Sequence, residues 1–151
     1  MRGKFKLIRI VSKTHGYVYR LSRGRVGKRV GKLGILLLTT TGRKSGKKRS
    51  VPLTVIPYGA KYILVASFGG SPSHPAWLIN IRHNPVVQIR VGSILKQAKA
   101  AIMETTDTMY QEMWKKVTAT YAGYDDYRRA TSRHIPIVII TPLEVPLSPS
   151  L

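Results

Sequence analysis

Apolar residues fall in short clusters along this chain, and the spacing within the clusters changes as it proceeds. Ile35-Leu36-Leu37-Leu38 is an unbroken apolar run inside Gly34 to Thr41, as expected of a strand buried on both faces. Ser50 to Ile56 and Lys61 to Ser67 read as the next two strands, joined by Pro57-Tyr58-Gly59-Ala60, whose residues suit a hairpin turn. Ala76 to Arg82 predicts a short helix with Trp77, Leu78 and Ile81 inward, stopped at Asn84-Pro85. Val86 to Val91 and Ile94 to Met103 alternate as a second hairpin across Gly92-Ser93. Thr108-Met109-Tyr110-Gln111 has capping-box spacing, and Met109, Met113, Val117 and Tyr121 recur every four residues, which predicts a helix of about four turns. A second helical piece over Tyr124 to Ser132 and a closing strand over Ile135 to Thr141 complete the pattern. Six short strands in mostly antiparallel hairpins, with helices at the edges, predict a small β-barrel of the α+β class.

The first thirty residues read differently from the rest. Leu7, Val11, Val18 and Leu21 fit one helical face flanked by cations, and no run approaches the ~20 apolar residues of a membrane span. We therefore divide the chain into a basic amphipathic segment, 1–30, and one domain, 31–151. The segment fits either an anionic membrane surface or packing on the domain.

Charge sharpens the division. Residues 1–50 hold sixteen Lys or Arg and no acid, whereas residues 51–151 hold ten against six acids, within a total net charge of +20. An anionic partner follows: nucleic acid, phospholipid or a poly-anionic small molecule. With no cysteine, disulfides, thiolate catalysis and Cys-based metal sites are excluded. His15, His74, His83 and His134 lack metal-ligand spacing, and Asp125 and Asp126 are too close to act as opposed glycosidase carboxylates.

The candidate chemistry begins where the first buried strand ends. Thr39-Thr40-Thr41-Gly42-Arg43-Lys44-Ser45-Gly46-Lys47-Lys48-Arg49 places five cations around a glycine-bounded loop, as expected of an anion cradle. It is no P-loop, because only three residues separate Gly42 from Gly46 and Lys47 is followed by Lys48. An exposed basic hairpin is the simpler alternative. Ser67 ahead of Phe68-Gly69-Gly70 offers a hydroxyl beside a flexible backbone, or an ordinary turn serine. Trp77 and Asn80 share a helix face and suit a flat polar ligand, or a core Trp beside a local cap. Tyr121, Tyr124 and Tyr127 recur at intervals of three, either around one cavity or along a core face.

Taken in order, Thr-Thr-Gly-Arg-Lys-Ser-Gly within Leu36 to Pro52, Ala66-Ser67-x-Gly69-Gly70, His74-Pro75-Ala76-Trp77-x-x-Asn80, Asn84-Pro85 and Tyr121-x-x-Tyr124-x-x-Tyr127 closely resemble the deazaflavin-dependent nitroreductase family. The resemblance spans roughly residues 30–142. It implies a split β-barrel that uses the reduced 8-hydroxy-5-deazaflavin coenzyme, F420, to pass a hydride to a small organic acceptor such as a quinone or nitro compound. It further implies that Thr41, Gly42, Arg43, Lys44, Ser45 and Arg49 hold the coenzyme's phosphate and glutamate tail. Ser67, Gly69, Gly70, Trp77 and Asn80 would border the ring. Tyr121, Tyr124 and Tyr127 would cover the acceptor side, with Tyr124, Tyr127 and Ser67 catalytic. Phe68 departs from the pattern, standing where relatives often carry Lys or Asn. A cytoplasmic monomer or homodimer is expected, at the inner membrane face if the basic segment binds there. An FMN-binding reductase on a similar barrel is the competing enzyme reading, and a nucleic-acid-binding module is disfavoured for want of a reading helix or RNP-type strand.

Overall fold

A computed structural model describes residues 29–30 and 33–146. Seven strands and three helices follow in the order β1 (Arg29–Val30), β2 (Leu33–Thr41), β3 (Lys48–Tyr58), β4 (Lys61–Val65), α1 (Ala76–His83), β5 (Val86–Val91), β6 (Ile94–Met103), α2 (Tyr110–Thr120), α3 (Gly123–Arg129) and β7 (Ile137–Pro146). A single turn of 3-10 helix, Phe68–Gly70, lies between β4 and α1. All strand pairings are antiparallel. The sheet runs β1-β2-β3-β4-β7-β6-β5, and β5 returns to β2, closing six strands into the expected barrel.

Strand alternation sorts most of the buried apolar residues into two large cores. Leu36, Leu38, Val55, Leu64, Val87, Ile89, Val138 and Ile140 pack together in one cluster, with Trp77, Leu78 and Ile81 of α1 among them. Residues of opposite parity, among them Ile56, Ile63 and Ile137, form a second cluster with Tyr110, Met113, Trp114 and Val117 of α2 and Tyr124 of α3. One sheet thus carries a core on each face: a strand interior with α1 on one side, α2 and α3 on the other. The continuous run at Ile35 to Leu38 is buried on both faces, with Leu36 and Leu38 in the first cluster and Ile35 and Leu37 forming a small third cluster of their own.

The boundaries differ in instructive ways. Strand β3 starts at Lys48, inside the basic run, and extends through Pro57-Tyr58, so Gly59-Ala60 alone makes the turn, with Gly59 at φ +58. Strand β4 stops at Val65 rather than Ser67. The capping box does not form: Asp107 Oδ1 accepts the N–H of Met109 at 3.0 Å, and the helix starts at Tyr110. At eleven residues α2 has about three turns. Its buried face is Tyr110, Met113, Trp114 and Val117, while Met109 and Tyr121 are exposed. The four-residue repeat misled because Trp114 has no place in it. Helix α3 is shorter than expected, and β7 continues into the Pro-rich stretch to Pro146. The 1–30 segment lies outside the described residues apart from Arg29–Val30. No described helix is long and apolar enough to cross a membrane.

Candidate functional site

The β2–β3 register decides which cations of the basic loop share a face. Thr40 pairs with Arg49 and Thr41 with Lys48. Arg49 therefore has the parity of Val51, Leu53 and Val55, which belong to the barrel cluster, and Lys48 that of Ser50 on the outward face. On that outward face Lys48 Nζ donates to Thr41 Oγ1 at 3.0 Å, and the Thr39 and Ser50 hydroxyls lie 2.8 Å apart. Thr39, Lys48 and Ser50 also line a shallow cavity of ≈ 260 Å³ with Gln88 and Arg90. The expectation of five cations around one concavity is corrected accordingly, because a strand sends Lys48 and Arg49 to opposite sides.

The tip of the loop is a tight turn. Gly42 N–H donates to Lys47 O, and Gly46 N–H to Gly42 O, both at 2.8 Å. A Cβ on Gly42 would meet Ser45 Oγ at 2.7 Å and Lys47 O at 3.2 Å, and Gly46 sits at φ +67, so both positions favour glycine. The Ser45 hydroxyl accepts the N–H of Lys47 at 3.2 Å. Arg43, Lys44 and Ser45 are exposed, and the backbone N–H groups of Lys44 and Ser45 have no hydrogen-bond partner among the described residues.

Asn80 fixes this loop from the neighbouring helix. Its Oδ1 accepts the backbone N–H of Arg43 at 3.2 Å, and its amide NH₂ donates to Thr40 Oγ1 at 3.0 Å. Asn80 and Thr40 are both buried. The side chain predicted to read a ligand's edge is spent on the protein, tying α1 to the root of the loop. Trp77, predicted to wall a ligand, is 7% exposed and packs in the barrel cluster.

The segment after β4 holds the most constrained backbone. Ser67 is right-handed helical at φ −72, ψ −36, and Phe68, Gly69 and Gly70 follow at φ +44, +61 and +76. Positive φ at Phe68 costs on the order of 1–3 kcal/mol, and so the surroundings must enforce it. Two contacts do so. A Cβ on Gly70 would lie 2.8 Å from Ala130 Cβ and 3.0 Å from Tyr127 O, so the turn is pressed against α3. From the other side Arg133 donates through Nε to Ser71 O at 2.7 Å, through Nη1 to Ala66 O at 3.1 Å, and through Nη2 to Ser67 O at 2.8 Å. Nothing in the sequence marked Arg133, since its partners are carbonyls more than sixty residues upstream.

The three predicted tyrosines do meet. Ring centroids lie 5.2 Å apart for Tyr121 and Tyr124, 6.2 Å for Tyr124 and Tyr127, and 6.4 Å for Tyr121 and Tyr127. Tyr124 is buried, and its hydroxyl lies 3.0 Å from Thr54 Oγ1 on β3. Burial raises its pKa. The Tyr127 phenol is pushed up to about 12, first by its hydrogen bond with Tyr121 and then by burial. Tyr121 is exposed, its ring lying over Gly123, where a Cβ would stand 2.4 Å from it. Helix α3, which carries two of these rings, is anchored by Asp125. Its Oδ1 accepts Trp114 Nε1–H at 2.7 Å and pairs with Arg128 at 3.2 Å, while the Arg128 guanidinium sits 4.7 Å from the Trp114 ring centre. Among the described residues no three His, Cys, Asp or Glu side chains group as metal ligands would.

Known proteins resemble this chain in sequence and in fold. The profile of the F420H2-dependent quinone reductase family matches residues 11–142. The chain belongs to that family. An F420H2-dependent quinone reductase of Mycobacterium tuberculosis is 39% identical over 129 residues, 84% of this chain and 87% of that one. A solved F420H2-dependent reductase, FDR-A, superposes with a TM-score of 0.60 at 40% identity, covering 70% of this chain and 92% of its own. A domain-swapped dimer at 40% identity gives a TM-score of 0.61 over 70% of this chain and 78% of its own. The chain is thus an oxidoreductase of the deazaflavin-dependent kind on a split barrel. Its residues fit the coenzyme: exposed cations at the basic loop and two N–H groups there without a partner among the described residues suit a phosphate, and clustered phenols suit a flat ring.

Proposed function

We propose that this protein reduces a quinone with F420H2, and that the grouped phenols of Tyr121, Tyr124 and Tyr127 beside the strained Ser67–Gly70 turn form the reacting end of the site. When bound, the coenzyme supplies a hydride, two electrons in one step. Arg43, Lys44, Ser45 and Arg49 hold its anionic portion, with Thr41 and Gly42 shaping the loop. Ser67, Gly69 and Gly70 border the ring. Trp77 and Asn80 act through packing: the first fills the barrel behind the site, the second sets the loop's position.

The quinone must gain one proton along with the hydride. Tyr127 keeps its proton well beyond neutral pH, and Tyr124, also raised, is held against Thr54. Both phenols are therefore neutral, and either O–H turned from its present partner onto an oxygen gaining negative charge would be a hydrogen-bond donor there; orientation against that oxygen is the protein's main contribution. Solvent replaces the proton through the exposed Tyr121.

The close meeting of the three rings supports this reading most strongly. The test is a fluorescence titration with oxidised F420, with FMN as a control, followed by turnover of F420H2 with a soluble benzoquinone. Selective saturable binding and a fall in kcat of at least tenfold in both Tyr124→Phe and Tyr127→Phe are expected. Equal binding of FMN, or unchanged kcat in both variants, would refute it. We further propose a homodimer, checked by light scattering in solution. Contact of residues 1–30 with an anionic membrane is checked by vesicle binding before and after deletion of residues 1–22.

A further inference from the structure

The carbonyl oxygens of Ala66 and Ser67 both accept hydrogen bonds from Arg133, at 3.1 and 2.8 Å. In a trans peptide the C=O of one residue and the N–H of the next point in opposite directions, and no described peptide is cis. The N–H groups of Ser67 and Phe68 therefore point away from the guanidinium. Neither has a hydrogen-bond partner among the described residues. Ser67 and Phe68 run from right- to left-handed conformation, a pairing that turns successive N–H groups toward one concavity.

The guanidinium itself is unusual in its company. All its strong contacts are carbonyls, with Nη1 also reaching His134 O at 3.3 Å and His74 Nδ1 at 3.4 Å. No carboxylate pairs with it among the described residues. Its fork is directed onto peptide dipoles, so its field acts through those peptides on the N–H groups beyond. A hydrogen bond accepted by a carbonyl strengthens the N–H of the same peptide unit as a donor. Ser67 O accepts a second such bond, from Gly70 N–H at 2.9 Å, which polarises the Phe68 N–H further.

We propose that Arg133 is a positioning residue that turns the Ser67 and Phe68 backbone amides into a polarised pocket for a negatively charged oxygen on the bound ring. This rests on the assignment of the Ser67–Gly70 turn to the ring site. The ring of 8-hydroxy-5-deazaflavin is acidic at its hydroxyl, and conjugation spreads the resulting charge to the carbonyl oxygens at its far end. Two polarised amides at such an oxygen favour the anionic ring. The device also explains why Phe68 is tolerated: its contribution comes from its backbone, and the side chain need carry no charge.

The test uses full-length protein and the absorbance of bound oxidised F420 across pH, which reports ring ionisation independently of turnover. Wild type should ionise the ring at lower pH than free coenzyme. Arg133→Ala should move that transition back toward the free value and weaken binding about tenfold. Methylguanidinium should restore both, and Arg133→Lys, which keeps the charge without the fork, should fall between. Lys44→Ala should weaken binding without moving the transition. An Arg133→Ala protein that ionises bound ring as wild type does would overturn the proposal. So would a loss that methylguanidinium fails to reverse, which would leave Arg133 a packing role alone. If wild type binds no coenzyme, the ring-site assignment fails first and carries this proposal with it.

Discussion

The two halves of the candidate site are built in opposite ways. The basic β2–β3 loop is exposed and held by turn hydrogen bonds plus one buried asparagine, so it acts through charge. The Ser67–Gly70 turn is pinned between Arg133 and α3 in a conformation most residues avoid, so it acts through geometry. Charge tolerates small displacements and suffers from salt, whereas geometry tolerates salt and suffers from a single methyl group. One part suits the flexible, anionic end of a ligand and the other a rigid ring.

The contrast breaks most visibly at glycine. Gly70→Ala places a methyl group 2.8 Å from Ala130 Cβ on a backbone at φ +76 and should cost about 3 kcal/mol, or about 9 °C in Tm by calorimetry. Gly46→Ala has no atom within 4 Å of the new methyl and should cost about 1 kcal/mol, from its positive φ alone. Equal losses would show that packing against α3 matters less than described.

Asn80→Ala comes next. It strands the buried Thr40 hydroxyl and releases the Arg43 N–H, for a loss of about 2 kcal/mol by urea denaturation. Coenzyme affinity should fall with it, because the loop loses its tether.

Alkaline titration probes the phenols. Tyr110, buried by α2, and Tyr127 are both raised to about 12 from an ordinary value of 10. A raised pKa contributes stability that is complete below pH 10 and disappears as pH climbs through 12. Denaturation midpoints should hold steady up to pH 10 and decline above it, with phenolate absorbance lagging that of free tyrosine. Titration of all eight phenols at the free-tyrosine pH would contradict the burial and hydrogen bonding given for these rings.

The smallest effects separate the two faces of the hairpin. Arg49→Ala should weaken coenzyme binding about tenfold at low salt, with the loss shrinking at high salt, while Lys48→Ala on the outward face should change it less than twofold. Equal effects would mean that strand parity does not decide which cation meets the ligand.

Much of this was legible in the chain. Strand pairs separated by Gly59 and Gly92 announced themselves through turn chemistry, and the tyrosine spacing brings three rings into contact at the edge of the second core, a choice between cavity and core face that spacing alone left open. Other features were hidden for definite reasons. Lys48 and Arg49 are one loop by composition and two faces by register, and register depends on where pairing begins. Asn80 and Trp77 looked ligand-facing because helix spacing gives a shared face without saying which way that face points. Arg133 and Thr54 have partners far away in sequence, for Arg133 ordinary backbone carbonyls, so no local motif could name them.

Barrel closure rests on a short seam. Strands β2 and β5 meet over only three residue pairs, Leu37 with Arg90 to Thr39 with Gln88, across about fifty residues of intervening chain. Neighbouring hairpins can zip up locally, but this seam must wait for both ends to be built. Its amides should therefore be the first of the barrel to exchange with solvent, opening without global unfolding. A fold that reopened there would bare one edge each of β2 and β5 while both kept their hairpin partners, so the seam is the point at which the barrel would become an open sheet.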